Sequence, residues 1–492
     1  MPSPVPPERI RTLNTRQIRQ DGRYVVVYMV STRRLTHNYA VQRAVELACT
    51  YKVPVVVLEA LRCGHPHAAD RHHAFVLQGM AEHAATLAPT PVLYHPWVEP
   101  WDGAGKGLLA AWATQAVAVV SDDWPGFFHR RMHAAAARQV PCAYEVVDSV
   151  GLLPLACTAR PWSRAYDFRR VFQRTARPHL HRPPSAHPLE ALPDHPRLTE
   201  LPPHIRRRWP SASPELLQAR PSALAALPID HSVAPVAVEG GSRAARARWR
   251  SFKNQALLRY ERGRRTVSTT ATSGLSPWLH YGHISVHELL DDLVADHGPV
   301  PAPDAPPGGK RAGWWGLPPD VDAFVDQLVI WRELSHHFVH HVPDAHEWST
   351  LPLWARTTLD AHASDPRPAL PTFDQLAAAE SPDPLWNAAQ TCLRRDGRLH
   401  NHLRMLWGKR ILEWTAHPRD ALHLMLTLND RFALDGRDPN SVASITWVLG
   451  RFDRPWGPER PIYGKVRYLS SANTQRKLKV RPDDVLAWNK AG

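Results

Sequence analysis

Cysteine is scarce in this chain, and the cysteines that occur are scattered. Five stand in 492 residues, and no two of them form a CxxC pair. Disulfide frameworks and structural zinc sites need cysteines at close, regular spacings. The pattern therefore excludes a disulfide-stapled fold and a zinc ribbon, and it predicts a cytoplasmic protein.

Long apolar runs and the common nucleotide-binding loops are also missing. No run of about 18 apolar residues occurs, and residues 1–17 lack the apolar core of a secretory signal. We therefore expect neither a membrane span nor a secretory leader. The turn after the first predicted strand, residues 31–38, contains neither GxGxxG nor GxxxxGK[ST], which excludes the two standard phosphate loops there.

Acidic residues are outnumbered by basic ones. The chain holds 60 Lys and Arg against 46 Asp and Glu, a net charge of +14, and 29 His besides. Excess positive charge attracts polyanions, of which nucleic acid is the commonest. The 19 tryptophans suit large core aromatics, stacking on a flat ligand, or redox-active indoles. Composition thus favours a nucleic-acid partner but leaves these uses of tryptophan open.

The first part of the chain alternates strand and helix patterns. Short apolar runs predict strands buried on both faces at residues 23–30, 53–58, 91–94, 116–120 and 144–147. Stretches between them, such as 38–51 and 71–88, have helical periodicity. Strands that alternate with helices predict a doubly wound parallel sheet.

The later part of the chain is dominated by helical periodicity. A stretch rich in Pro, His and Arg at 177–188 predicts an inter-domain connection, and the Pro/Gly insert at 298–309 predicts a surface loop. Helices are predicted at 243–262, 285–296, 319–342, 383–393, 397–415 and 418–429. We therefore expect an α/β domain at 1–176, a connection at 177–240 and a larger helical domain at 241–492.

Three tryptophans in the helical part have informative positions. Trp407 and Trp414 are seven residues apart, which is two helical turns, so both indoles lie along one face. Trp386 stands near the start of another predicted helix. A core stripe is the ordinary interpretation. Adjacent indoles would also suit stepwise electron transfer, but the spacing does not show that they are adjacent.

Two further segments contain more polar residues than the apolar helical segments around them. Residues 428–440 (LNDRFALDGRDPN) fit either a solvated loop that ends a helix or hydrogen bonding to a flat heterocycle. Residues 273–285 (SGLSPWLHYGHIS) begin a predicted helix with Ser and Gly, and free N–H groups at such a start suit a phosphate. Tyr260, Arg262, Arg264 and Arg265 stand nearby in the chain.

Together these segments resemble the photolyase/cryptochrome flavoproteins, and specifically the class II cyclobutane pyrimidine dimer photolyases. The motifs that carry the resemblance follow one another in matching order along most of the chain, and it is weakest around 177–245 and 298–318. They are STRRLTHNYAVQRA, SGLSPWLHYGHIS, LVIWREL, DPLWNAAQ, LRMLWGKRILEW, LNDRFALDGRDPN and ERPIYGKVRY. Several ordered motifs are far more specific than any single one.

The resemblance implies an antenna-type α/β domain and a larger helical domain that holds FAD in a folded conformation. The residues that match the phosphate and ribityl side of the FAD site are Tyr260, Arg264, Ser273, Leu275 and Ser276. Asp435 matches a carboxylate near the isoalloxazine edge, and Asn429 an amide that faces flavin N5. Trp407, Trp386 and Trp414 match the electron-transfer chain that photoreduces the flavin. Residues 263–266 depart from the family's Arg-Asn-Asp-Pro-like stretch, which leaves the phosphate contacts open.

The resemblance also implies a light-driven lyase that splits cyclobutane pyrimidine dimers in double-stranded DNA. In such enzymes photoexcited reduced FAD donates an electron to a flipped-out dimer. Trp331, Met405 and Trp447 match residues that line the dimer pocket, and Arg467 matches a basic residue that enters the gap left in the duplex.

One position departs from the family pattern. Gln327 stands where the family has a glutamate that hydrogen-bonds the dimer. An amide can donate a hydrogen bond, but it cannot deliver a proton. The departure favours, as an alternative, a cryptochrome-like photoreceptor that binds FAD without efficient repair. A helical DNA-binding protein without photochemistry is the third interpretation.

The resemblance leaves the antenna chromophore undecided between a deazaflavin and a folate, and the antenna site could also be empty. We expect a monomer. The spacing of His65, His67, His72 and His73 is irregular. We therefore predict surface histidines here and no metal site.

Overall fold

A computed structural model describes residues 3–126, 128–192, 196–267, 271–301 and 308–488. The chain forms two compact units, each assembled from separate segments. The first unit consists of Met1–Ala159, Arg174–Trp249 and Leu275–Pro299, and the second of Arg160–Gln173, Arg250–Gly274 and Val300–Gly492. The linear domain boundaries that we expect from the sequence stay a prediction.

The first unit is built on a six-stranded sheet. Its strands are β1 (Ile10–Thr12), β2 (Tyr24–Met29), β3 (Val55–Leu61), β4 (Leu93–Val98), β5 (Ala116–Asp122) and β6 (Ala143–Val147). The strand order is β1-β6-β5-β2-β3-β4, and every pair is parallel except β1 with β6. The five predicted strands and their parallel arrangement are confirmed. The edge strand β1 was not predicted, because three residues are too few to show an alternating pattern.

Both faces of this sheet are covered, as its apolar strands require. Along β2, Val25 and Val27 point into the cluster that contains Val41 and Ala44. Val26, on the opposite face of the same strand, belongs to the cluster with Leu108, Trp112 and Tyr144. Because side chains alternate across a strand, the valines of β2 contribute to the hydrophobic core on each face of the sheet. The doubly wound fold class is confirmed.

Helices connect the strands and continue beyond them. In chain order up to residue 300 the helices are α1 (Tyr39–Tyr51), α2 (Asp70–Leu87), α3 (Leu108–Ala113), α4 (His129–Gln139), α5 (Ala165–Thr175), α6 (Arg177–Leu180), α7 (Pro203–Arg208), α8 (Pro214–Leu217), α9 (Pro221–Leu224), α10 (Ser242–Gln255), α11 (Tyr260–Gly263), α12 (Ser276–His280) and α13 (Val286–His297). The predicted helices at 38–51 and 71–88 are confirmed as α1 and α2. The predicted helix at 243–262 ends early, at Gln255, and a 3-10 turn (Leu257–Arg259) follows it.

The prediction of surface histidines is wrong for two of the four. His72 and His73 are each only 3% exposed. They lie in the first turn of α2, on the side of the helix that is turned away from solvent, and His72 Nδ1 lies 3.0 Å from the Tyr281 hydroxyl oxygen. His65 and His67, which precede the helix, are half-buried.

The second unit is helical. Its remaining helices are α14 (Pro319–Val325), α15 (Arg332–His341), α16 (Leu353–Ala361), α17 (Phe373–Ala378), α18 (Pro384–Asp396), α19 (Asn401–Trp414), α20 (Pro418–Phe432), α21 (Pro439–Val448), α22 (Ser471–Leu478) and α23 (Pro482–Ala487). The single helix predicted at 319–342 is instead α14 and α15 joined by a π-helix, Asp326–Trp331. Residues 302–307 of the predicted surface loop lie outside the described residues. Over the described ranges, no helix is both long and apolar enough to cross a membrane.

Acid should weaken the first unit through His95, a fully buried residue of β4. Its Nδ1 accepts a hydrogen bond from Trp112 Nε1 at 3.0 Å, and its Nε2 lies 2.9 Å from the Trp209 carbonyl oxygen. The ring must therefore be neutral, and burial lowers the pKa of His95 from 6.5 to about 4. Because the unfolded chain binds this proton more readily, stability is full above pH 6.5 and is lost as the pH falls toward 4.

We expect this one group to remove about 2 kcal/mol of unfolding free energy between pH 7.5 and pH 5. Urea unfolding at the two pH values, compared with His95→Gln, measures the contribution, since glutamine offers an acceptor and a donor but does not titrate. The exposed His204 provides a matched control: His204→Gln should leave the pH dependence unchanged. Equal pH dependence in the wild type and His95→Gln would contradict the prediction.

Candidate functional site

Three tryptophans that the sequence marked as a group meet between α18 and α19. The Trp386 and Trp407 rings are stacked, with centroids 6.4 Å apart and planes within 6°. The Trp414 ring packs edge-on against Trp386 at 5.5 Å. All three are at most 2% exposed. The prediction that Trp407 and Trp414 share one face of a helix is confirmed, and the structure adds that Trp386 lies against both.

The indole N–H groups of this cluster are satisfied across the two helices. Trp407 Nε1 donates to Gln390 Oε1 at 2.8 Å, and Trp386 Nε1 donates to the Trp407 carbonyl oxygen at 3.0 Å. Asp383 caps α18 by accepting from the amides of Leu385 and Trp386, and Pro384 suits the first turn. The cap and the cross-helix bonds hold the Trp386 and Trp407 rings in place.

A charged network lies at the end of α20. Arg404 of α19 donates through Nη1 to Asn429 Oδ1 at 3.0 Å and to Ser441 Oγ at 3.3 Å. Its Nη2 pairs with Asp435 at 3.3 Å. Asn429 is buried, and its Nδ2 donates to Asp430 Oδ1 and to Ser441 Oγ. The segment 428–440 is therefore not a solvated loop, because most of it is buried and Arg404 binds its Asn429 amide and its Asp435 carboxylate.

Arg404 is the residue that the sequence analysis missed. It stands three positions before Trp407, one turn away on the same side of α19. The signal in the sequence is that Arg404 is a basic residue in the same segment as Trp407 and Trp414.

Two of the three predicted pocket residues, Trp331 and Trp447, come together at the π-helix. The Trp331 and Trp447 rings are stacked, with centroids 5.0 Å apart and planes within 19°. Gln327 is one turn before Trp331. In the amide orientation that satisfies both donors, its oxygen accepts from Trp331 Nε1 at 3.2 Å and from Arg264 Nη1 at 3.3 Å. All four side chains are half-buried. The π-helix thus places an amide at the edge of a stacked indole pair.

Arg264 and Tyr260 were expected on the phosphate side of a cofactor site. Tyr260 is buried against Phe252 and Phe324, and burial raises the pKa of its hydroxyl. The Arg264 guanidinium lies 5.6 Å from the Tyr260 ring centroid. Its Nε is buried and has no hydrogen-bond partner among the described residues. Arg264 therefore uses Nη1 to bind Gln327, and its Nε is left to donate to a further acceptor.

The predicted stretch 273–276 is divided between the units. Ser273 and Gly274 belong to the second unit, and Gly274 has a φ of +66°. A Cβ on Gly274 would come within 2.4 Å of Arg398 Nη2 and would displace the guanidinium, and the left-handed φ independently favours glycine. Leu275 and Ser276 belong to the first unit, where Leu275 is buried and Ser276 begins the one-turn helix α12. The cofactor roles of Ser273, Leu275 and Ser276 stay predictions.

Two predicted DNA-facing residues remain. Met405 is half-buried on α19, between Arg404 and the buried Leu406. Arg467 is exposed, its Nε lies 3.8 Å from Asp453 Oδ2, and its guanidinium lies 4.2 Å from the Trp456 ring centroid. Trp456 Nε1 in turn donates to Asp453 Oδ1 at 3.1 Å. Arg467 is thus an exposed cation that is held in place by a carboxylate and an indole.

Comparison with known proteins gives full-length relatives. No protein-family model matches the chain. A deoxyribodipyrimidine photo-lyase of Methanothermobacter thermautotrophicus is 31% identical over 487 residues, 96% of this chain and 96% of that protein. One of Potorous tridactylus is 31% identical over 486 residues, 96% of this chain and 83% of that protein. One of Oryza sativa subsp. japonica is 38% identical over 232 residues, 46% of this chain and 42% of that protein.

Solved structures share the architecture. A bacterial class III photolyase from Agrobacterium tumefaciens superimposes with a TM-score of 0.68 at 18% identity, over 95% of this chain and 86% of that one. A Synechocystis cryptochrome gives a TM-score of 0.66 at 13% identity, over 94% of this chain and 88% of that one. At these identities the likeness shows the fold alone.

The ion pair between Arg404 and Asp435 should be strongly coupled, because the two side chains are only 12% and 16% exposed. We expect a coupling energy of about 1–3 kcal/mol in a double-mutant cycle of Arg404→Met and Asp435→Asn, measured by urea unfolding. The exposed pair Arg206–Glu200, at a similar 3.3 Å, is the control and should couple by less than about 1 kcal/mol. Additive effects of Arg404→Met and Asp435→Asn would contradict the network.

Proposed function

Because this chain belongs to the photolyase/cryptochrome family, as its full-length photo-lyase relatives show, we propose that it is a class II photolyase. Its substrate is a cyclobutane pyrimidine dimer in double-stranded DNA. The observation that carries the proposal is the stack of Trp331 on Trp447 with the Gln327 amide hydrogen-bonded at its edge. Flat indoles suit bases that have been flipped out of a duplex, and an amide suits the carbonyl and N–H groups of pyrimidines.

The residues of the second unit fit FAD as the resident cofactor. A dinucleotide with a pyrophosphate and a flat ring system needs cations, close backbone and polar groups at the ring edge. Arg264 offers a buried Nε that has no acceptor in the part of the chain that the structure describes, and Gly274 brings backbone against Arg398. Asn429 and Asp435 offer an amide and a carboxylate that Arg404 holds in fixed positions. Bound FAD would supply light absorption and the electron that splits the dimer.

The chain's own residues then bind and orient the substrate. Trp331 and Trp447 would hold the extruded bases by stacking. Since the Gln327 oxygen already accepts two hydrogen bonds, its amide nitrogen is the group that would donate to a pyrimidine carbonyl. Arg467, held by Asp453 and Trp456, would supply positive charge to the opened duplex. Trp407, Trp386 and Trp414 would serve as the internal electron donors that restore the reduced cofactor.

Two parts of the family likeness stay predictions. One is a second chromophore in the α/β unit, a deazaflavin or a folate. The other is the cryptochrome-like alternative, which Gln327 favours, since an amide replaces a proton-donating carboxyl group at the pocket.

Illumination of the purified, reduced protein with an oligonucleotide that contains a thymine dimer tests the proposal. We expect the dimer to disappear in blue light and to persist in darkness. Trp447→Ala should weaken dimer binding by about 1–3 kcal/mol, because a stacking surface is lost. Trp101→Ala changes a tryptophan that is 64% exposed in the first unit and should bind normally. A yellow protein that leaves the dimer intact in light would instead identify a photoreceptor.

Gln327→Glu should raise the repair yield, because a carboxyl group can stabilise the dimer radical anion by donating a proton. Arg264, whose Nη1 lies 3.3 Å from the present amide oxygen, would lower the pKa of the introduced carboxyl group. The gain should therefore grow as the pH falls. The readout is the quantum yield of repair at several pH values, with Gln327→Met as the control that removes both hydrogen-bonding functions. An unchanged yield would show that Gln327 does not face the dimer.

A further inference from the structure

Gln390 occupies a position that the proposed function leaves unexplained. It stands on α18 one turn after Trp386 and is fully buried. Its Oε1 accepts from Trp407 Nε1 at 2.8 Å, while its Nε2 has no hydrogen-bond partner among the described residues. Burying an amide whose N–H₂ group makes no hydrogen bond is unfavourable. We therefore attribute the occurrence of glutamine at this position to its hydrogen bond with Trp407.

Both indole N–H groups in the stacked pair donate to neutral oxygens. Trp407 donates to the Gln390 side chain, and Trp386 donates to the Trp407 carbonyl. Amide oxygens are hydrogen-bond acceptors but very weak bases. An indole that loses one electron becomes a radical cation whose N–H is far more acidic than before. Neither acceptor in the stacked pair can take up that proton.

Trp414 has different surroundings. The Arg410 guanidinium lies 4.8 Å from its ring centroid. Arg410 in turn forms ion pairs with Asp383, at 3.0 Å, and with Glu413. Two carboxylates, Asp383 and Glu413, are therefore bound to the arginine that lies on the third indole, whereas the indole N–H groups of the stacked pair donate to amide oxygens. The cluster has neutral acceptors at Trp407 and Trp386 and ionised groups at Trp414.

We propose that Gln390 is a positioning residue that keeps the proton on Trp407 while an electron passes through the cluster. This inference rests on the proposed function, which supplies photoexcited oxidised flavin as the one-electron acceptor. Trp407 stands one helical turn from Arg404, which holds the proposed flavin-side residues Asn429 and Asp435. It therefore loses one electron to the flavin and stays a protonated radical cation. One electron then moves from Trp386 to Trp407, and one from Trp414 to Trp386. The single hole ends on Trp414, whose N–H proton is released to solvent. An external thiol then returns one electron and one proton to the Trp414 radical and itself becomes a thiyl radical.

The physical reason for a neutral acceptor is the driving force of the later steps. A Trp407 radical that had lost its proton would be a weaker oxidant than the radical cation. It would not draw an electron from Trp386, and the hole would stay beside the reduced flavin and recombine. Glutamine provides the hydrogen bond that fixes the ring without the basicity that would trap the hole.

Gln390→Glu tests this directly, because it places a base at the same atom. In the holoprotein, transient absorption after a light flash distinguishes protonated from deprotonated tryptophan radicals. We expect a deprotonated radical at Trp407 and a several-fold lower yield of flavin photoreduction. Gln375→Glu is the matched control, since Gln375 is exposed at the start of α17, and it should behave as the wild type. A protonated radical and an unchanged yield in a folded Gln390→Glu protein would overturn the inference.

A second variant keeps the test decisive if a buried carboxylate prevents folding. Trp414→Phe removes the last indole, so the hole must stay on Trp386 and Trp407. We expect the radical cation to recombine without forming a deprotonated radical, whereas a long-lived deprotonated radical would overturn the inference. Dark exchange of the Trp407 indole N–H, measured by NMR, should quicken in Gln390→Met if the hydrogen bond exists as described, and an unchanged exchange rate would also count against it.

Failure of the inference is separable from failure of the proposed function. Repair by chemically reduced protein does not use the tryptophan cluster, so loss of repair there would reject the photolyase proposal alone. Trp407→Phe should abolish flavin photoreduction if the cluster is the donor. Normal photoreduction in that variant would reject the electron-transfer role, and with it the role of Gln390.

Discussion

Buried indole N–H groups are the constraint on which the second unit depends. An indole nitrogen placed in a core is stabilised by donating a hydrogen bond, since leaving it unsatisfied costs about 1–3 kcal/mol. In this protein Trp386 donates to the backbone of α19 and Trp407 donates to a side chain of α18. The two bonds run in opposite directions between the same pair of helices. They fix the register of α18 against α19, and the stacked geometry of the rings follows from that register.

The charge of Arg404 is also compensated by polar partners. Arg404 would be costly if buried alone, but its two terminal nitrogens are divided between an amide, a hydroxyl and a carboxylate. The result is that Asn429 and Asp435, which lie six residues apart at the end of α20 and after it, are held by one side chain. Polar groups that are fixed before a ligand arrives need little reorganisation when it binds.

The π-helix between α14 and α15 makes a comparable local contribution. A wider turn changes the direction in which its side chains project, and such segments are frequent at functional sites. Here it aligns Gln327 with Trp331 so that the amide oxygen bonds the indole edge and also meets Arg264. The periodicity of residues 319–342 predicted an uninterrupted helix. The hydrogen bonds of a π-helix span one residue more than those of an α-helix, and that difference is too small to detect in a short segment.

The sequence alone determined the parallel sheet, because valine-rich runs separated by helical stretches have few other ways to bury both faces. It also determined which indoles share a face of α19, since helical geometry converts spacing into direction. Ordered motifs identified the family and the candidate residues. Only the tertiary structure decided that Trp386 lies against Trp407 and Trp414, that Arg404 joins Asn429 to Asp435, and that His72 and His73 are buried. These facts depend on contacts between segments that are far apart in the chain. The periodicity of one segment does not show which other segment packs against it.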